Sequence, residues 1–309
     1  MKLGVAFTWH SLTWEELASL VERAEALGYA AAYVDGDVSM LGVRREAPVL
    51  DGWTVTTALL ARTRDIAIGS IRLVQHWNAA HLAQVAATAE RITPGRFQFF
   101  VSIGGRPEDP AFGIPRRPVA DRIEQLDETL DAVRALWRGE TVTRQGRFVA
   151  LDGARVRPTP PGGALPIEIA GKGPRLLRIV ARHGDVWNVN LPPIASRVAE
   201  AGAALEEACA EIGRPADSIR RRMWIFTRAQ RLGAEAALSE FRRFNPWFDA
   251  LPDAEVAPAL VFGSPGECRS RLTDLGRELR LELPVLDLSG LDAEAARDTL
   301  EAFPAGFPR

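Results

Sequence analysis

Lysine is nearly missing from this chain: Lys2 and Lys172 are its only two among 38 basic residues, the rest being arginine. That bias reflects a GC-rich genome more than protein physics, and it makes a retained lysine more informative. Cysteine is as scarce. Cys209 and Cys268 stand far apart, with no CxxC pair and no companion histidine, which excludes a disulfide framework or a zinc site and suits a reducing compartment. The four histidines show no metal-ligand spacing with one another or with carboxylates, so no metal centre is expected. Neither sign of charge is in excess. A formal net charge of −2 leaves no basic field for nucleic acid or anionic lipid. No apolar run reaches membrane-spanning length, and "MKLGVAFTWHSLTWEEL" lacks both a long apolar segment and a small-residue cleavage site. These absences predict a cytoplasmic protein whose partner is a small organic molecule. Two motifs are also missing: no GxGxxG follows the first strand, and GxSxG occurs nowhere.

What is present is a repeating period. Eight short apolar stretches read as strands: "KLGVAF", "AAAYVD", "DIAIGSIRLV", "RFQFFVSIGG", "PIEIAG", "DVWNVN", "RRMWIFTRAQ" and "LELPVLDL". Between them run amphipathic segments with helical spacing and cap signals, such as the Thr before "WEELASLVERAEALG", Asn78, and the Ser-Pro of "SPGECRSRL". Over its 309 residues the alternation shows no sharp break in composition and predicts one α/β domain, a (β/α)8 TIM barrel. Two excursions interrupt it. Residues 140–165, between the fourth helix and fifth strand, alternate about Gln145-Gly146 like a hairpin, and residues 232–258 form a helical and aromatic insertion. A doubly wound sheet is the alternative, since strand order is not written in one sequence.

In a barrel the chemistry gathers at strand C-termini. There, "EIAGKGPRLL" places Ala170, Gly171, Lys172 and Gly173 just before a helix starting near Pro174, a turn that either binds an anion through its amides or is merely permissive. "SIGGRPEDP" brings Gly104 and Gly105, then Glu108, to the same end. Ser70 and Ile71 end the third strand, beside a glycine, as a bulge for a planar ring or as an ordinary strand end. "YVDGD" offers Asp37 as a proton donor or as a solvated turn residue, and His10 follows the first strand.

Together, "ERAEALGYAAAYV", "DGWTVTTALLARTRDIAIGS", "HLAQVAATAERITPGRFQFFVSIGG", "FGIPRRPVADRIEQLDETLDAVRALWRG", "LPIEIAGKGPRLLRIVARHGDVWN" and "VFGSPGECRSRL" resemble the bacterial luciferase-like flavin and deazaflavin oxidoreductases. The resemblance covers roughly residues 1–290. It implies a barrel with an insertion, often dimeric, and coenzyme F420 or FMN at the mouth. F420 is favoured by the Gly-Pro of "AGKGP". It further implies a cis Ser70–Ile71 peptide under the ring and phosphate contacts from the amides of Gly171, Lys172 and Gly173. The activity implied is hydride transfer between F420 and a small organic substrate. The alternatives are an FMN monooxygenase and a barrel that binds cofactor without turnover. One departure stands out: the Ser-Asp-His with which many F420 members end strand two is replaced by residues around Gly36 and Asp37, leaving Asp37, Glu108 or His10 as the catalytic candidates.

Overall fold

The computed structural model describes residues 2–7, 12–37, 49–230 and 232–304. In chain order its elements are β1 (Gly4–Phe7), α1 (Trp14–Ala26), β2 (Ala31–Val34), α2 (Gly52–Arg62), β3 (Ala67–Leu73), α3 (Ala79–Ile92), β4 (Phe97–Ser102) and α4 (Val119–Trp137). A hairpin, β5 (Val142–Gln145) and β6 (Ala150–Ala154), precedes β7 (Ile167–Gly171), α5 (Pro174–His183), β8 (Val186–Val189), α6 (Ala195–Glu211) and β9 (Arg220–Arg228). The chain continues with α7 (Ala234–Phe244), α8 (Asp253–Val256), β10 (Val261–Phe262), α9 (Pro265–Glu278), β11 (Leu283–Asp287) and α10 (Ala293–Glu301).

Eight parallel strands close on themselves in the order β1-β2-β3-β4-β7-β8-β9-β11, with β11 pairing back onto β1. The predicted (β/α)8 barrel is therefore the observed fold, and the hairpin falls between α4 and the fifth barrel strand. Local signals start the helices where expected. Thr13 and Glu16 form a capping box on α1, Ser264 and Glu267 another on α9, and the Asn78 side chain caps α3. The two-residue strand, β10, extends the pairing of β9 at Thr227 and Arg228; it is too short to leave a strand signal.

Strand alternation divides the core into two layers. Outward residues such as Ile68, Phe99, Ile169 and Leu286 pack beneath the helices. Inward residues, including Ala6, Tyr33, Ile71, Phe100 and Val285, fill the barrel. Below the mouth the filling becomes polar. Arg222 donates from Nη1 to Glu168 Oε2 (2.8 Å), Gln98 Oε1 (2.6 Å) and Tyr33 Oη (2.7 Å), while Tyr33 donates to Glu168 (2.9 Å). Burial opposes the guanidinium's charge, but Glu168, Tyr33 and Glu282 outweigh it and raise the Arg222 pKa. Asn188 Nδ2 donates to Glu168 Oε1 at 2.8 Å. Because a carboxylate only accepts, this bond turns the Asn188 carbonyl away from Glu168.

Candidate active site

A cavity of about 710 Å³ opens at the C-terminal ends of the barrel strands. Its base includes Ile71, Phe100, Asn188 and Trp224. The two sides above this base are built differently.

One side is made of backbone. Leaving β4, Gly104 (φ +57°) and Gly105 (φ +99°) take left-handed conformations, and a Cβ would lie 2.0 Å from Gln75 Nε2 in the first case and 2.1 Å from Arg122 Nη1 in the second. Only glycine fits there. Arg122 pins this turn by donating to the Gly104 carbonyl and, through Nε, to that of Arg117 (3.1 Å). The chain then delivers Arg106 to the mouth. Its guanidinium grips Asp37 with two bonds, Nε to Oδ1 at 2.8 Å and Nη2 to Oδ2 at 2.7 Å, a fork geometry that occupies both carboxylate oxygens. Buried Asp109 supports it, accepting from the Arg106 amide (2.9 Å) and Gln75 (3.1 Å) and facing His76 Nε2 at 3.2 Å.

The β7–α5 turn completes this side. A Cβ at Gly171 would fall 2.6 Å from Leu176 Cγ, whereas one at Gly173 would meet nothing within 4 Å. Gly173 is the N-cap of α5 and brings no capping side chain; Pro174 at N1 has no N–H and the Leu176 amide donates to the Gly173 carbonyl (2.9 Å), so the positive end of the helix faces the cavity without a side-chain cap. Lys172 and Arg175 flank it. Lys172 Nζ lies 4.9 Å from the Phe248 ring, and partial desolvation, followed by the charge of Arg197, lowers its pKa.

The other side is made of aromatic side chains. Phe226 of β9 meets Phe241 edge-on at 5.7 Å, Phe241 stacks with Phe248 at 6.0 Å, and Trp247 packs on Phe248. Arg106 reaches across to lie 5.3 Å from the Trp247 ring centre. Fully buried Arg228 ties α7 to the barrel, bonding Glu240 at 2.7 Å and the Asp287 carbonyl at 3.0 Å. Arg242 closes the aromatic loop through the carbonyls of Phe248 (2.7 Å) and Leu251 (2.5 Å). At the foot of this side stands Asp287, which also lines the cavity.

The residues singled out by sequence fall into three groups. Asp37, Ile71, Gly104, Gly105, Ala170, Gly171, Lys172 and Gly173 all line the cavity. Ser70 does not. It points outward, its Oγ 3.0 Å from both the Gly52 carbonyl and Thr56 Oγ1 under α2, because alternation puts Ile71 on the inner face. The Ser70–Ile71 peptide is trans: the one cis bond among the described residues is Arg157–Pro158. The expected bulge is likewise replaced by an unbroken ladder, Ser70 pairing with Phe99 and Ile71 with Phe100. Glu108 lies outside the cavity lining, with Oε2 buried and unbonded. His10 lies outside the described residues. Sequence reasoning gave no role to Arg106, Arg122, Asn188 or Trp224, and it read the aromatic segment as an insertion without placing it over the mouth. The available signal was the inward alternation of "RRMWIFTR" and the cluster "NPWFD". At Gly36 a Cβ would lie 1.7 Å from the Ile71 carbonyl oxygen, so the chain passes this point without a side chain, and the histidine position of the family motif is taken by Asp37.

Fold and site together define a parallel (β/α)8 barrel with a cavity at the C-terminal mouth of its strands. The chain belongs to the luciferase-like monooxygenase family, whose model matches residues 1–281. It is 32% identical over 192 residues to an F420-dependent glucose-6-phosphate dehydrogenase of Mycobacterium avium (strain 104), a match covering 60% of this chain and 56% of that protein. It is 34% identical over 149 residues to a phthiodiolone/phenolphthiodiolone dimycocerosates ketoreductase of Mycobacterium kansasii, covering 46% and 39%. The chain thus matches about half, or less, of these relatives' length. Among solved structures, an F420-dependent secondary alcohol dehydrogenase in complex with an F420-acetone adduct superposes with a TM-score of 0.82 at 20% identity, covering 98% of this chain and 99% of that one. The coenzyme F420-dependent tetrahydromethanopterin reductase of Methanopyrus kandleri gives 0.74 at 16%, covering 98% and 97%. At these identities the likeness is one of fold.

Proposed function

We propose that this chain is an oxidoreductase exchanging hydride between coenzyme F420 and a small organic substrate. The observation that carries the reading is the division of one cavity into a glycine-built cationic side and an aromatic side, which suits an anionic cofactor lying beside an apolar molecule. The F420-dependent relatives among the matches support F420 over FMN.

The residues present fit such a cofactor. A cradle left open at Gly173, the uncapped α5 N-terminus, Lys172 and Arg175 would hold its phosphate and acidic tail. Ile71 and Phe100 offer an apolar seat for a ring, and the Asn188 carbonyl, fixed by Glu168, is an acceptor for a ring N–H. When bound, F420 supplies or takes the hydride at its deazaflavin ring. The chain's share is positioning and proton management. Asp37, with both oxygens on Arg106, orients that guanidinium rather than acting as a free acid. Trp247, Phe248 and Phe241 exclude water on the substrate side. A cytoplasmic homodimer completes this reading.

Equilibrium titration with F420 and with FMN, followed by ligand fluorescence, tests the assignment. Saturable F420 binding with much weaker FMN binding is expected. Tight FMN with no F420 binding would overturn it and favour reduced-flavin oxygen chemistry.

A further inference from the structure

We propose that Asp287 is the proton-transfer residue of this site, serving an uncharged ketone or secondary alcohol seated against the aromatic wall. The proposal rests on the oxidoreductase reading above and names what that reading leaves open: the acid, and the substrate class.

Among the described residues three carboxylates line the cavity: Asp35, Asp37 and Asp287. The first two belong to the cationic side, where Arg106 binds Asp37 with both oxygens and feels the charge of Asp35 as well. Asp287 stands apart from them. As the last residue of β11, it pairs in register with Ala6 of β1 and Phe226 of β9. Strand alternation turns it inward, in line with Leu283 and Val285, which belong to the barrel filling. Its carboxyl is buried, with Oδ1 accepting from the Ser289 amide (2.9 Å) and hydroxyl, and with the Asn245 side chain as a further partner.

Among the described residues the charges around it are few. From β9 comes Arg228, whose Nε is paired with Glu240 of α7 and whose Nη1 bonds the Asp287 carbonyl rather than its carboxylate. From β1 the neighbours are Ala6 and Phe7, from the end of α7 Asn245, and from the following turn Ser289, all uncharged. Burial raises the Asp287 pKa above its usual value, against the lowering effects of Ser289, Arg228 and Asn245. A buried carboxyl that holds its proton more tightly than usual and faces an apolar wall is suited to donate it to a carbonyl oxygen.

In reduction, bound reduced F420 would supply two electrons to the carbonyl carbon as hydride. The C=O π pair would move to oxygen, and the Asp287 O–H bond would break as its proton joins that oxygen. The products would be the alcohol, oxidised F420, whose ring N–H proton passes to water, and an Asp287 carboxylate, which takes one proton back from water. Oxidation of the alcohol runs the same steps backwards. The rings of Phe226, Phe241, Trp247 and Phe248 are themselves uncharged, and the cations Arg106, at Trp247, and Lys172, at Phe248, reach the wall from the glycine side, so the face toward Asp287 suits a neutral, apolar or aromatic molecule.

Asp287→Asn keeps the shape and removes the proton. With reduced F420 and a neutral aromatic ketone as the probe, turnover is expected to fall by about 100-fold or more, with F420 affinity unchanged. The alkaline limb of the wild-type pH profile should vanish. Ser289→Ala, which removes a donor that favours the carboxylate, should shift that limb to higher pH. An infrared titration of the protein alone gives a readout without cofactor: a protonated carboxyl band surviving above the usual aspartate range, absent from Asp287→Asn. Wild-type turnover and pH profile in Asp287→Asn, or no such band in the wild type, would overturn the proposal. Failure of the wild type to bind F420 with the infrared band intact would instead overturn the cofactor reading.

Discussion

The two sides of the cavity solve the same problem, holding a ligand above a barrel, with different parts of the chain. The glycine side uses backbone: Gly104, Gly105, Gly171 and Gly173 carry no side chain, and Arg122 braces the first of the two turns. The aromatic side uses rings from a single insertion, packed on Phe226 and stapled by Arg228 and Arg242. Backbone amides survive every substitution but proline, so the first side is sensitive mainly to added volume. Rings are lost one at a time, so the second side is sensitive to removal. Arg106 joins them, bonded to Asp37 and lying over Trp247.

Breaking that join should produce the largest effect. Asp37 is 3% exposed at its side chain and Arg106 23%, so Arg106→Ala leaves a buried carboxylate without its partner. We expect a loss of about 3 kcal/mol, the low end for a broken buried pair given the partial exposure of Arg106, seen as a lower midpoint in denaturant. Next comes added volume on the glycine side. Gly171→Val drives a side chain into Leu176 and should cost about 1–3 kcal/mol of stability as well as F420 affinity. Gly173→Ala separates the two effects: with open space at its Cβ, stability should stay within about 0.5 kcal/mol while F420 affinity falls. On the aromatic side, Trp247→Ala should raise KM for an apolar ketone by roughly tenfold, about 1.4 kcal/mol, and leave F420 affinity intact. Lys172→Ala should have the smallest effect, weakening F420 by about threefold and flattening its salt dependence, because the amides carry most of the contact.

Asp287 adds a signature in pH. Its folded pKa lies above the usual value, so between the two the native state holds more protons than the unfolded chain, and stability falls as pH rises through that window. Urea denaturation of the wild type across that window should show this decline, and Asp287→Asn should lack it.

These features were not equally legible in the sequence. The barrel was, since period-2 and period-3.6 patterns alternate eight times and caps such as Thr13, Asn78 and Ser264 are local. So was the Gly-Lys-Gly turn, whose chemistry lies within a few residues. Ser70 and Ile71 show the limit: both sit at the end of β3, and only the assembled barrel decides that Ile71 faces in while Ser70 bonds to α2. Asp37 was visible at a strand end, but its partner lies 69 residues away, beyond any local pattern. The aromatic wall was legible as an insertion but not as a wall, because its place over the mouth depends on Arg228 and Arg242. Asp287 was one strand end among several, and what marks it is that no cation among the described residues bonds its carboxyl, a property of three dimensions.

The central claim is that one side of the mouth is for cofactor and the other for substrate. A crystal structure of the F420 complex tests it most directly. The account predicts the phosphate at the amides of residues 171–173 and the start of α5, the ring over Ile71, and the space between Asp287 and Trp247 left open. A ring stacked among Phe241, Trp247 and Phe248, with no phosphate at the glycine turn, would contradict it.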